Sequence, residues 1–121
     1  MPSAALGLKG ERAAARYLKK NGYKILARRW KCRFGELDLV AKQGDEVVFI
    51  EVKTRATDNF GGAISAVGWH KAIRLRAAAH SYLSVNNLLA VPFRIDVIAI
   101  TVCSGGRATL EHFFNAITEG D

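Results

Sequence analysis

Apolar residues along this 121-residue chain recur at two different periods, and the changes of period divide it into elements. From Ser3 to Lys20 the alanines, Tyr17 and Leu18 return every three or four residues, the period of a helix with one apolar face. Asn21-Gly22 follows as a helix-ending pair. Glu11 shares its face with Ala14, Ala15 and Leu18, so an acid is turned toward whatever that face covers. Tyr23 to Trp30 reads as a first strand. Gly35 to Arg55, GELDLVAKQGDEVVFIEVKTR, alternates apolar and polar residues and predicts two strands joined by a short turn at Gly44-Asp45. Leu37 and Leu39 are expected on one face with Glu36 and Asp38 on the other. Glu51 and Lys53 share a face, with Ile50 and Val52 opposite.

A loop over Ala56–Ala63, containing Gly61-Gly62, leads to a second helix from about Ile64 to Val85. Its apolar stripe runs through Leu75, Ala78 and Tyr82, with Lys71 one turn before Leu75; Arg74 and Arg76 are expected to project elsewhere. Asn86-Asn87 and Pro92 punctuate the next turn. Phe93–Val102 reads as a strongly apolar strand whose Arg94 and Asp96 form an ion pair. Ser104-Gly105-Gly106 turns the chain into a last strand over Arg107–Phe114, antiparallel to its predecessor, and Thr118–Asp121 is expected to fray. Short connections make the first three strands antiparallel. The strand after the second helix returns parallel through a crossover. The expectation is one domain spanning residues 1–121, an α/β fold with a mixed sheet flanked by helices.

Composition narrows the function classes. No apolar run approaches the ~20 residues of a membrane span, and the first residues lack the pattern of a secretory signal. A cytoplasmic protein without membrane attachment is expected. Cys32 and Cys103 stand far apart, in no zinc-binding spacing, and are expected to remain free thiols. His70, His80 and His112 are read as surface or packing residues rather than ligands. The 18 Lys and Arg against 11 Asp and Glu leave a net charge of +7, which favours a polyanionic partner such as nucleic acid. Arg28, Arg29, Lys31 and Arg33 cluster in ARRWKCR, where they serve either to hold phosphates or to guard an edge strand. Trp30 among them either stacks on nucleic acid or fills the core.

The candidate chemistry lies in the hairpin. Pairing about Gly44-Asp45 sets Asp38 opposite Glu51 and Glu36 opposite Lys53. Facing residues have Cβ atoms only ~4.5–5.5 Å apart, so the two carboxylates require a shared proton or a cation. A hard divalent metal suits such oxygen ligands. The competing reading is a solvated polar face. Glu11 either joins the hairpin acids or complements the helix dipole. Lys71 either reaches toward them or snorkels to solvent.

An acid on the first helix, then Asp38, then Glu51-Val52-Lys53, resembles the PD-(D/E)XK nuclease superfamily. More closely, Gly10-Glu11, GELDLVA, FIEVKTR, FGGAISAV with Lys71, RIDVI, and His112 with Asn115 resemble the small bacterial YraN-like family. That family is described as endonucleases related to archaeal Holliday-junction resolvases. The resemblance covers nearly the whole chain and implies a restriction-endonuclease-like αβββαβ core. It further implies Mg²⁺ or Mn²⁺ held by Asp38, Glu51 and the Val52 carbonyl. Lys53 would act beside the attacking water, as a proton acceptor if its pKa is depressed and electrostatically otherwise. Glu11 would match the first-helix acid of the resolvases and Lys71 an accessory helix position; Arg55, at the end of FIEVKTR, is a further candidate nucleic-acid contact. Glu36 has no fixed role in the pattern, and Leu37 stands where a proline would precede Asp38. DNA is the implied substrate and a homodimer the implied assembly for cutting two symmetric strands. The alternative is a nucleic-acid-binding module whose nuclease site is vestigial.

Overall fold

In the computed structural model, residues 4–56 and 68–118 are described. The elements follow the order α1 (Ala4–Lys20), β1 (Lys24–Cys32), β2 (Gly35–Gln43), β3 (Glu46–Ala56), α2 (Trp69–Val85), β4 (Phe93–Val102) and β5 (Ala108–Phe113). The strands form one five-stranded sheet in chain order, antiparallel except for the parallel β3–β4 pair. This is the α/β, restriction-endonuclease-like architecture expected, with β5 added at the edge. Among the described residues no helix is long and apolar enough to cross a membrane. Cys32 and Cys103 are free thiols.

The two helices cover opposite faces of the sheet. Ala14, Ala15 and Leu18 of α1 pack with Leu39, Val48, Ile50 and Ile98. On the other side Leu75, Ala78 and Tyr82 of α2 pack with Leu37, Val40, Phe49 and Ile95. Trp30 belongs to this second core, edge-to-face with Tyr82 at 5.2 Å, so its indole serves packing. A Schellman motif ends α1: Gly22 takes φ +88°, its amide donates to the Lys19 carbonyl, and Tyr23 donates to Leu18. The second helix begins later than the periodicity implied, because Gly68 is extended and stands as its N-cap. The expected residues of that helix before Gly68, the Gly61-Gly62 pair and the end of the C-terminal tail lie outside the described residues.

The hairpin register matches expectation over Leu39–Gln43 and Glu46–Ile50, where Leu39 faces Ile50 and Gln43 faces Glu46. Beyond Leu39 the pairing stops. Leu37 packs on the α2 side while Leu39 packs on the α1 side, so the expected shared face of these two leucines is overturned. The alternation slips at Asp38, whose neighbour across β1, Arg29, adopts φ +49° and is missing from the β1–β2 pairing.

Far along the α1 face, Asp96 is fully buried. It accepts from Arg94 Nε at 3.0 Å, from the Asn115 amide at 2.8 Å, and sits 2.7 Å from His112 Nε2. Tyr17 Oη meets His112 Nδ1 at 2.8 Å, which ties α1 to β5. Burial alone would raise the Asp96 pKa, but His112, Arg94 and the Asn115 amide outweigh it and hold the carboxyl below the usual range. The RIDVI and His112–Asn115 motifs thus meet in one structural network. Asn115 stands at φ +49°, a left-handed conformation that asparagine tolerates better than most residues.

Two stability predictions follow from these contacts. A Cβ on Gly10 would lie 1.9 Å from Thr54 Oγ1 and 3.0 Å from Thr54 Cβ, so α1 approaches β3 only through a glycine. Gly10→Ala is expected to cost about 1–3 kcal/mol in urea unfolding, partly restored by Thr54→Ala. Asp96→Ala leaves the Arg94 guanidinium without its buried partner and is expected to cost about 3–5 kcal/mol by the same measurement.

Candidate active site

Where the β2–β3 ladder ends, the Val52 amide donates to Asp38 Oδ2 at 2.8 Å. The side chain thus takes a backbone donor of β3, and the carboxylate is held between the strands rather than on a regular face. Alternation in β3 places Glu51 and Lys53 on the side of Phe49, under α2. Glu51 is only 4% exposed. Its Oε2 receives Lys71 Nζ at 2.5 Å and stands 3.6 Å from Lys53 Nζ. Lys71 therefore reaches the hairpin rather than solvent.

Glu11 arrives from α1. One oxygen each of Glu11, Glu36 and Asp38 lies within 4.8 Å of the others. Six donors around an octahedral Mg²⁺ at ~2.1 Å stand roughly 3–4 Å apart, so modest side-chain adjustment would let this set hold such an ion. The donors are all carboxylate oxygens, which suits Mg²⁺ or Mn²⁺ and not zinc. Glu36, without a role in the resemblance, is brought to the same point as Asp38. Glu51 stands outside that triad, engaged by two lysines, while Val52 contributes its amide to Asp38.

Each carboxylate has a nearby cation or proton. Arg29 Nε bonds Glu11 Oε1 at 2.9 Å, and Lys31 Nζ lies 3.8 Å from Glu36. Burial, followed by the charge and hydrogen bond of Glu51, pushes Asp38 up to about 7 against the opposing Val52 bond. Burial and the Lys71 ammonium pull Lys53 below the usual lysine range. Burial also acts to lower Lys71, but its hydrogen bond to Glu51 wins and holds it above that range.

A cleft of about 270 Å³ opens onto these groups, lined by Phe34, Glu36, Asp38, Glu51, Lys71 and Arg74 among others. Arg74 overturns the expectation that it projects elsewhere: three residues after Lys71 it shares that helix face. The spacing itself was the available signal. Arg76 does project away, to the Thr118 carbonyl. Of the basic patch, Arg29 and Lys31 turn to the acids, Arg28 and Arg33 are exposed, and Arg33 stacks on the Phe34 ring at 4.8 Å. Arg55 Nε lies 3.5 Å from Thr101 Oγ1 on β4.

Residues 10–100, which include every acid of the site, match the model described as uncharacterised protein family UPF0102. The chain belongs to that family. UPF0102 is the YraN-like, PD-(D/E)XK-related group that the sequence motifs resemble. The chain is 45% identical over 119 residues to a UPF0102 protein of Chloroflexus aurantiacus, covering 98% of this chain and 97% of the relative. It is 46% identical over 112 residues to one from Pelotomaculum thermopropionicum (92% and 93% covered). A Geobacter sulfurreducens UPF0102 protein is 43% identical over 111 residues (92% and 87%).

The Asp38 shift sets a pH prediction for this UPF0102 chain. An acid raised to about 7 in the fold from an ordinary value of 3.8 binds its proton more tightly when folded. Its ionisation therefore erodes stability as pH rises between those values. Asp38→Asn is expected to unfold at a higher temperature than the wild type, with a gap that widens from pH 4 to about 7 and is level above. A constant gap across that range, read from thermal melts, would contradict the assignment.

Proposed function

We propose that the protein is a metal-dependent endonuclease that hydrolyses DNA phosphodiester bonds. The observation that carries this reading is Asp38, set between the Glu11–Glu36 pair on one side and the Glu51–Lys53–Lys71 group on the other, at the base of an open cleft. Glu11, Glu36 and Asp38 would hold Mg²⁺ or Mn²⁺, with Glu51 available once Lys71 moves. The bound metal would supply charge to the phosphate and lower the pKa of water. Asp38 has to lose its proton to serve as a ligand, so metal affinity rises with pH up to about 7 and then levels.

Lys53 lies beside Glu51 with its proton affinity lowered, which favours a role as acceptor of the water proton. Lys71 and Arg74 line the wall of the cleft and would neutralise phosphate oxygens. The basic surface outside the cleft supports a DNA substrate, and the resolvase resemblance favours branched forms.

The test is cleavage of labelled linear duplex, single strand, flap and four-way junction DNA with Mg²⁺, Mn²⁺ or EDTA. Cutting is expected only with metal. Asp38→Ala is expected to abolish it and Lys53→Ala to slow it by about 10²-fold or more. Binding that is sensitive to salt, indifferent to metal and equal in Asp38→Ala, with no cutting by either protein, would instead establish a binding module with a vestigial site.

A further inference from the structure

Arg29 combines two features that a surface cation on a regular strand lacks. Its backbone is left-handed at φ +49° inside β1, a conformation uncommon for a residue other than glycine, at the point where pairing with Asp38 is missing. Its side chain crosses to α1 and bonds Glu11, one of the three acids that converge near Asp38. The Arg29 side chain is 44% exposed and the Glu11 side chain 20%. An ion pair this open to water contributes little and exchanges readily.

We propose that Arg29 and the metal compete for Glu11, and that the displaced guanidinium then grips a phosphate of the nucleic acid. The inference rests on the metal-dependent reading above and adds a coupling to it. Metal binding frees a planar donor suited to phosphate, and phosphate binding by that donor frees an acid for the metal. Each ligand therefore strengthens the other, by the same factor in both directions. Lys31, 3.8 Å from Glu36, and Lys71, on Glu51, are also paired with acids, but neither stands on a left-handed backbone.

The experiment titrates the full chain with Mn²⁺, following free Mn²⁺ by electron paramagnetic resonance, for wild type, Arg29→Lys and Arg29→Asn. Asparagine tolerates the left-handed backbone, and Arg29→Gly, which relieves it, is the second variant should Arg29→Asn not fold. Without DNA, Arg29→Asn is expected to bind Mn²⁺ roughly two- to fivefold tighter than wild type, the factor an exposed ion pair supplies. Arg29→Lys should resemble wild type. Duplex DNA with a phosphorothioate backbone should tighten Mn²⁺ binding in wild type and less so in Arg29→Asn. With Ca²⁺ present, the salt dependence of DNA binding should be shallower in Arg29→Asn by about one phosphate contact. Saturable Mn²⁺ binding that is equal or weaker in the variant overturns the exchange, leaving Arg29 a staple between β1 and α1 and the metal site intact. Absence of saturable Mn²⁺ binding in every protein overturns the metal reading and the exchange with it.

Discussion

The site depends on one hydrogen bond that interrupts a pattern. Where β2 and β3 would continue their ladder, the Val52 amide donates to the Asp38 carboxylate. A side-chain acceptor has replaced a backbone one, so the amide remains satisfied while the strands part. That parting lets Glu11 from one face and Glu51 from the other approach the same carboxylate. The amide bond alone would favour ionised Asp38, yet burial and Glu51 prevail. The folded protein thus carries an acid whose ionisation opposes stability.

Much of this was legible in the sequence, for physical reasons. A two-residue turn at Gly44-Asp45 admits one register, and the apolar residues of β2 and β3 leave no other that buries them. Helical period placed Glu11 and Lys71 on inward faces. The slip at Asp38 was not legible, because alternation carries no mark for a position where a side chain replaces a ladder partner. Nor was the left-handed Arg29, since arginine carries no preference for that conformation. The start of α2 was misplaced because the apolar residues before Gly68 continue a helix-compatible pattern. Glu36 was set opposite Lys53 by the expected register, with no fixed role, whereas its neighbours in the fold are Glu11 and Asp38.

The family motifs divide into two kinds of work. GELDLVA and FIEVKTR carry Glu36, Asp38 and Glu51 to the cleft, with Lys53 beside Glu51. RIDVI and the His112–Asn115 pair meet around buried Asp96 and bind β5 and α1 to the sheet. Through Tyr17 that network anchors α1 near its C-terminal end, while the Gly10–Thr54 approach anchors it next to Glu11. A helix fixed at two points presents its acid at a defined height above β3. The network around Asp96 thereby helps to position Glu11 without bonding to it.

The matched acids and bases also shape the protein's far field. Glu11, Glu36, Asp38 and Glu51 are balanced in formal charge by Arg29, Lys31, Lys53 and Lys71, so the net +7 resides wholly on the rest of the molecule. Beyond a Debye length of about 10 Å at 0.1 M salt, the four carboxylates present no repulsive face to an incoming polyanion. For a polyanion, the long-range potential would be attractive, and the acids would become electrically visible only at contact distance.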